Sequence, residues 1–184
     1  MAAIVVGDHI VLIGMMGAGK TSVGRRVAEA LDRPLVDTDA LVEARTGRTV
    51  REIFEADGEA AYRAIEADAV ADAVDWPEPA VLAAAGGVVL YPASRDRLHD
   101  AGTVVWLAAT PATLAGRVRP GDHRPLLGTD PEPVLRRLLE ERHALYEELA
   151  DEVVVVDDLT TEQAAECVLA ACDRPEPSAP RRSS

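Results

Sequence analysis

The sequence predicts an α/β fold, a three-layer arrangement in which a parallel β-sheet of about five strands is flanked by helices. Short apolar runs, such as residues 10–13 and 80–84, alternate with longer segments whose apolar residues recur at helical spacing. This alternation is typical of parallel strands joined by crossover helices. The chain has 184 residues, of which 48% are hydrophobic, so a single domain can bury a substantial core.

The first half of the chain contains three of the expected strands. Residues 9–13 predict the first strand and residues 22–31 the first helix, with a glycine-rich segment between them. Residues 34–37 predict the second strand, which ends in Asp37-Thr38-Asp39. Helical patterns follow over residues 40–45, 49–55 and 59–74 and stop before Pro77 and Pro79. Residues 80–84 predict a third, buried strand that ends in Ala85-Gly86-Gly87.

The second half continues the alternation. It predicts helices over residues 93–99, from Thr110 or Pro111 to about 118, over 131–149 and over 161–171, and strands over 103–107 and 153–156. The polar, basic segment from 119 to 128 contains Gly121 and Gly128, which suit the hinges of a lid. Pro, Ser and Arg dominate from residue 174 onward and predict disorder. We therefore expect one domain over residues 1–173, with a lid at about 119–129, and a disordered tail over 174–184.

The glycine-rich segment has the spacing of a phosphate-binding loop, G-x-x-x-x-G-K-T, between a strand and a helix. Its glycines let successive backbone N–H groups point at phosphate oxygens, and the helix start adds partial positive charge. Lys20 is expected to reach the terminal phosphates, and the Thr21 hydroxyl to be a ligand of Mg²⁺. The residues expected to bind the nucleoside triphosphate are Gly14, Met15, Met16, Gly17, Ala18, Gly19, Lys20, Thr21 and Ser22.

A glycine-rich turn before a helix is the alternative interpretation of this segment. Lys20 argues against it, because it is the only lysine in the chain and every other basic side chain except histidine is arginine. A compact ammonium therefore occurs only where phosphate is expected.

Asp37 and Asp39 follow the second strand and lie two residues apart. Because ligands bind at the carboxyl ends of parallel strands, the pair suits hydrated Mg²⁺ and the proton of an acceptor hydroxyl. The alternative is an ordinary helix start, in which Thr38 or Asp39 serves as the N-cap.

Other candidates are less specific. Gly86 and Gly87 end the third strand, where backbone can approach a ligand closely. Arg124 lies in the expected lid, from which a guanidinium can close over a transferring phosphoryl group. Arg63 and Arg142 lie in helical patterns, and their spacing alone gives them no role.

The charge and hydropathy patterns exclude several classes of protein. The formal net charge is −13, which argues against nucleic-acid binding because that requires a basic face. The sequence shows no signal peptide and no apolar run of membrane length, so we expect a cytoplasmic protein without a membrane partner. No exposed apolar stripe stands out, and we expect a monomer.

Taken together, these residues resemble the shikimate kinases, small P-loop kinases of the nucleoside monophosphate kinase type, over residues 10–171. The resemblance implies a P-loop NTPase fold with a lid. It is carried by the phosphate loop, Asp37-Thr38-Asp39, the block from Phe54 to Glu66, Gly86-Gly87, Arg124-Pro125-Leu126-Leu127, and Arg142 with Leu145-Tyr146. The lid and the Phe54–Glu66 block are far more diagnostic than the phosphate loop.

The resemblance implies ATP-dependent phosphorylation of the 3-hydroxyl of shikimate, a step towards chorismate and the aromatic amino acids, with Mg²⁺ as cofactor. Asp39 would orient or deprotonate the attacking hydroxyl. Arg63 and Arg142 would hold the carboxylate, and Gly86 and Gly87 would contact the acceptor through backbone. The nucleotide side is expected to use Lys20, Arg124 on the phosphates, Arg117 on adenine, and Asp37 on Mg²⁺ through water.

The chain departs from the family pattern at Ala85, since the family usually has three consecutive glycines where this chain has Ala85-Gly86-Gly87. If this position needs a positive φ, alanine costs about 1 kcal/mol or more; if it needs only a small side chain, alanine is nearly silent. A gluconate-type carbohydrate kinase and a non-catalytic nucleotide-binding homologue are the alternatives. The lid sequence and the arginine pair argue against the first, and the intact Lys20, Asp39 and Arg124 against the second.

Overall fold

A computed structural model describes residues 8–118 and 130–173. Its strands are β1 (His9–Ile13), β2 (Leu35–Asp37), β3 (Val81–Ala83), β4 (Gly102–Ala108) and β5 (Glu152–Val155). Its helices are α1 (Lys20–Leu31), α2 (Thr38–Thr46), α3 (Val50–Val74), α4 (Pro92–Ala101), α5 (Pro111–Arg117), α6 (Pro131–Leu149) and α7 (Thr161–Cys172). A short 3-10 turn covers Val88–Leu90.

The strands form one parallel sheet, with the order β2-β3-β1-β4-β5 in the described ranges. The central strand β1 pairs with β3 on one side and β4 on the other, and all its residues are buried. The chain leaves β1 towards β2 and later crosses to β4, so the crevice at the carboxyl end of β1 lies where the strand order reverses. This sheet confirms the predicted α/β fold and puts the phosphate loop at the ligand-binding edge.

Aliphatic side chains make up most of the core. Helices α1 and α7 pack against each other on one side of the sheet, and α3 and α4 pack against each other in the opposite layer. Val11, Leu12 and Ile13 are completely buried between these layers. Because each β1 residue is covered on both faces, the strand is continuously apolar instead of alternating with polar residues.

Most predicted helices occur close to their expected bounds, with two informative differences. Helix α2 begins at Thr38 instead of residue 40, because the Asp37 side chain caps it by accepting from the Asp39 backbone N–H. The two predicted segments 49–55 and 59–74 form one element, α3, interrupted at Gly58 with φ 81° and ψ 175°. The capping box of Thr49 and Glu52 fixes the start of α3.

The predicted lid, about 119–129, and the predicted disordered tail, 174–184, lie outside the described residues, so the domain limits stay a prediction. No helix in the described ranges is both long and apolar enough to span a membrane.

Candidate active site

The phosphate loop connects β1 to α1, and its glycines are required by backbone geometry. Gly14, Gly17 and Gly19 have φ values of 142°, 83° and 91°, which L side chains rarely adopt. Space is restricted as well, because a Cβ on Gly14 would lie 2.6 Å from the Leu107 carbonyl oxygen. The loop shape thus depends on these glycines.

Two polar side chains of α1 lie at the mouth of this loop. Lys20 Nζ donates to the carbonyl oxygens of Gly14 and Met15, at 2.8 and 3.0 Å. Thr21 Oγ1 donates to Asp37 Oδ2 at 2.7 Å, which joins the start of α1 to the end of β2. A hydroxyl beside a carboxylate is the oxygen donor set that suits Mg²⁺. These residues therefore fit a triphosphate with its metal ion.

Asp37 and Asp39 differ in their contacts although they are two residues apart. Asp37 caps α2 through one carboxylate oxygen and accepts from Thr21 through the other. Asp37, and not Thr38 or Asp39, is thus the N-cap, and capping does not remove it from the phosphate site. Asp39 accepts a hydrogen bond at 3.3 Å from the hydroxyl of Tyr62 in α3, so its side chain faces that helix.

Thr38, between the two carboxylates, fastens the ends of β2 and β3 together. Its buried hydroxyl accepts from the Ala85 backbone N–H at 2.9 Å and donates to the Ala83 carbonyl at 3.5 Å. The sequence alone does not identify this contact, because a threonine at a helix start is usually a cap.

Arg63 in α3 and Arg142 in α6 converge on Gly86-Gly87. Arg142 is 4% exposed and donates through Nη1 to the Gly86 carbonyl at 3.2 Å. A Cβ on Gly87 would lie 2.3 Å from Arg63 Nη1, so this residue must be glycine for the guanidinium to lie there. Within the described ranges, the Nε atoms of both arginines are buried and have no hydrogen-bond partner. Buried cationic donors of this kind suit an anionic ligand.

Buried acidic and phenolic groups surround Arg63. Glu66 is 2% exposed and accepts from Arg63 Nη1 at 2.8 Å. Burial raises the pKa of Glu66, and the charge of Arg63 opposes this rise. Burial, followed by the charges of Asp39 and Glu66, raises the pKa of the Tyr62 hydroxyl far above its ordinary value. Tyr62 therefore remains a hydrogen-bond donor at neutral pH.

The Tyr146 side chain connects the phosphate loop with the backbone at Gly86, where the two arginines converge. Its hydroxyl donates to the Gly86 carbonyl at 2.7 Å and lies 3.6 Å from Met15 Sδ in the phosphate loop. Burial raises the pKa of this hydroxyl, although the charge of Arg142 opposes the shift. The ring of Trp106 stacks on that of Tyr146 with centroids 5.5 Å apart, which fixes the tyrosine against β4.

A cleft of about 570 Å³ extends from the phosphate loop past Asp37 and Asp39 to the start of α7. Arg117, predicted to contact adenine, lies in its wall and donates to the Val156 carbonyl at 2.7 Å. Further lining residues that the sequence did not identify are Val156, Leu159, Thr160, Thr161 and Ala164. Their position after the carboxyl end of β5, together with the Thr160–Gln163 capping box, is the sequence feature that places them at this edge.

Asp157 holds the cleft wall together. Its Oδ1 accepts from the Thr110 backbone N–H at 2.8 Å and from the Thr110 hydroxyl at 2.7 Å, which ties the β5–α7 turn to the start of α5. Slight burial raises the pKa of Asp157, but hydrogen bonds from Thr113 and Thr110 outweigh it and lower the pKa below its ordinary value. The wall beside Arg117 is therefore braced at neutral pH.

Comparison with known proteins assigns the family. The family model described as shikimate kinase matches residues 16–173. A shikimate kinase of Symbiobacterium thermophilum is 49% identical over 152 residues, 81% of this chain and 87% of the relative. One of Burkholderia pseudomallei is 47% identical over 147 residues, 79% of each chain. The solved structure of the shikimate kinase from Acinetobacter baumannii in complex with shikimate has a TM-score of 0.85 at 35% identity, covering 89% of this chain and 91% of that one.

The chain belongs to the shikimate kinase family. This membership confirms the resemblance predicted from the sequence, and with it the P-loop fold and the kinase class of the enzyme. Arg124, the predicted lid arginine of this shikimate kinase family member, lies outside the described residues and stays a prediction.

The structure also decides between the two alternatives for Ala85, the departure from the usual family glycines. Among the described residues other than glycine, only Asp32 has a positive φ, so Ala85 is not strained. Its side chain is buried, with 8% exposed, beside the cleft. Gly86 and Gly87 also lack positive φ values, and close neighbours explain them instead: a Cβ on Gly87 would meet the Arg63 guanidinium, and one on Gly86 would lie 3.2 Å from the Gly14 carbonyl oxygen. A small residue is thus sufficient at position 85.

Proposed function

We propose that the protein transfers the terminal phosphoryl group of ATP to the 3-hydroxyl of shikimate. The observation that carries this proposal is the pair of arginines, Arg63 and Arg142, whose Nε donors are buried beside Gly86-Gly87 and have no partner among the described residues. Two guanidinium groups suit a carboxylate, which shikimate has. Asp39, which lines the cleft that begins at the phosphate loop, would supply the contact for a hydroxyl group.

The phosphate side acts through fixed positive groups. The loop N–H groups and Lys20 would bind the β- and γ-phosphates, and Thr21 and Asp37 would hold Mg²⁺, Asp37 through water. The metal ion would supply neutralisation of phosphate charge. Arg117 would contact adenine, and Arg124 would close on the phosphates from the lid.

The acceptor side orients the attacking hydroxyl. Asp39 accepts its proton as the bond from the 3-oxygen to phosphorus forms and the bond from phosphorus to the ADP oxygen breaks. Arg63 and Arg142 fix the opposite end of the acceptor, while Gly86 and Gly87 contact it through backbone. Because phosphoryl transfer needs positioning and charge more than covalent help, these groups account for the chemistry.

The test is ADP release from MgATP in a coupled assay, with shikimate, gluconate and a panel of nucleoside monophosphates as acceptors. We expect ADP release well above the ATPase background with shikimate only. Turnover with gluconate but not shikimate would contradict the proposed acceptor and favour a carbohydrate kinase. ATP binding without turnover of any acceptor would contradict catalysis itself. The monomeric state and the cytoplasmic location stay predictions.

A further inference from the structure

A series of hydrogen bonds on the acceptor side of the site connects four side chains, those of Asp39, Tyr62, Glu66 and Arg63. The Tyr62 hydroxyl lies 3.3 Å from Asp39 Oδ1 and 3.2 Å from Glu66 Oε1. Glu66 Oε2 in turn accepts from Arg63 Nη1 at 2.8 Å. The series therefore runs from the carboxylate assigned to the acceptor hydroxyl to the guanidinium assigned to the acceptor carboxylate.

Tyr62 is the only link in this series that bears no formal charge, and it has one proton for two carboxylate neighbours. The hydroxyl is buried within a residue that is 4% exposed, so water does not replace either contact easily. Its strongly raised pKa keeps that proton in place. A hydrogen bond to Oδ1 restricts the χ2 torsion of Asp39 and thereby fixes the direction of both carboxylate oxygens.

The ring of Tyr62 is held independently of its hydroxyl. The Phe54 ring lies 4.6 Å away between centroids, and the Arg63 guanidinium lies 5.2 Å above the Tyr62 ring. These contacts depend on the aromatic ring and not on the oxygen. Replacing tyrosine by phenylalanine at this position therefore removes one hydrogen-bonding group while the packing stays.

We propose that Tyr62 is a positioning residue for phosphoryl transfer, whose hydroxyl orients Asp39 and connects it through Glu66 to Arg63. This inference rests on the proposed function, because Asp39 acts there on the acceptor hydroxyl. Asp39, assigned to the acceptor hydroxyl, and Arg63, assigned to the acceptor carboxylate, are thus oriented by one series of hydrogen bonds.

The first experiment compares steady-state kinetics of wild type, Tyr62→Phe and a matched control, Tyr91→Phe. Tyr91 is 40% exposed at the start of α4 and does not line the cleft. For Tyr62→Phe we expect kcat with shikimate to fall by about tenfold, the value of one positioning hydrogen bond in the transition state. The KM for ATP should stay within about twofold, and calorimetric affinity for shikimate should fall less than kcat. Tyr91→Phe should match wild type.

The second experiment is a double-mutant cycle with Glu66→Gln. If the hydroxyl acts within one series, the kcat losses of Tyr62→Phe and Glu66→Gln are smaller together than the product of the single losses. Independent multiplication of the two losses would overturn the connection through Glu66. Thermal unfolding of each variant accompanies the kinetics, because a structural role lowers Tm without changing kcat of the folded enzyme.

Two further outcomes separate this inference from the function on which it rests. Wild-type turnover of shikimate, with Tyr62→Phe within twofold of wild-type kcat, would overturn the role of Tyr62 and leave the proposed function intact. Absence of wild-type turnover with shikimate would overturn both.

Discussion

The phosphate half and the acceptor half of this site are built by different physical means. The phosphate half is built around one continuous segment, in which Gly14, Gly17 and Gly19 adopt positive φ values and present backbone groups, and Asp37 joins it from the end of β2. The acceptor half brings Asp39 of α2 together with side chains from α3 and α6, and Arg63, Glu66 and Arg142 bury their charged groups there. The first half is thus defined by backbone conformation and the second by tertiary packing.

Because of this difference, each half is sensitive to a different kind of substitution. A phosphate loop is formed by a short local sequence, and it recognises phosphate, which many ligands share. The acceptor half depends on helices brought together from distant parts of the chain, and every buried charge in it needs a partner. Substitutions in the two halves should therefore change different kinetic constants.

The largest effect is expected in the phosphate half. Lys20→Ala removes the only lysine ammonium of the chain, which we propose binds the triphosphate, and we expect turnover to fall by about a hundredfold to a thousandfold with the fold retained. Arg25→Ala, which removes an exposed cation from the same helix, is the matched control. Coupled ADP release measures both variants. Near-wild-type turnover of Lys20→Ala would contradict the assignment of the phosphate loop.

The second-largest effect is expected in the acceptor half. Arg142→Ala removes a buried guanidinium, so the KM for shikimate should rise by about tenfold to a hundredfold while the KM for ATP changes little. Arg136→Ala, on the exposed face of the same helix, should leave both constants unchanged. If Arg142→Ala raised the two KM values equally, the contrast between the halves would fail at this residue.

A smaller effect is expected from Gly87→Ala, which tests whether the acceptor half has room for a side chain beside Arg63. At Gly87 (φ −90°, ψ −12°) the backbone tolerates alanine, but a Cβ would lie 2.3 Å from Arg63 Nη1. Gly87→Ala should therefore displace the flexible guanidinium, raise the KM for shikimate by about fivefold to tenfold and change Tm by only a few degrees. Gly116→Ala, where a Cβ meets nothing within 4 Å, is the control. An unchanged KM for Gly87→Ala would show that Arg63 does not hold the acceptor from this position.

The smallest effect is expected at the family departure. Ala85 has no positive φ, so Ala85→Gly relieves no strain and should leave kcat and both KM values within about twofold. The added freedom of the unfolded chain should lower the free energy of unfolding by up to about 1 kcal/mol. Denaturant unfolding and steady-state kinetics measure the two quantities. A large rise in activity would mean that the alanine side chain obstructs the acceptor.

The phosphate half could be predicted from the sequence because its geometry is local. The spacing of the glycines, Lys20 and Thr21 predicts the loop conformation. The pattern of apolar residues on either side predicts β1 and α1. Helix α6 matches its predicted bounds, Pro131 to Leu149, because proline suits the first turn and its apolar residues recur at helical spacing.

The acceptor half could be predicted only through the family resemblance. Nothing in the local pattern distinguishes Arg63 from an exposed helical arginine, because its burial depends on how α3 packs beside Gly87. The contact of Tyr62 with Asp39 joins residues 23 apart and depends on a side-chain rotamer. The double use of Asp37, as N-cap and as partner of Thr21, likewise appears only once β2 and α1 are side by side.

The solitary lysine has a chemical consequence of its own. Reagents that acylate amines find one side-chain amine in this chain, Nζ of Lys20, besides the α-amino group. After hydroxylamine has removed acyl groups from thiols and phenols, a second acyl group that mass spectrometry still detects is therefore attached at the mouth of the phosphate loop, without mapping of peptides. The extent of that modification, with and without nucleotide, measures occupancy of the loop in the unaltered protein.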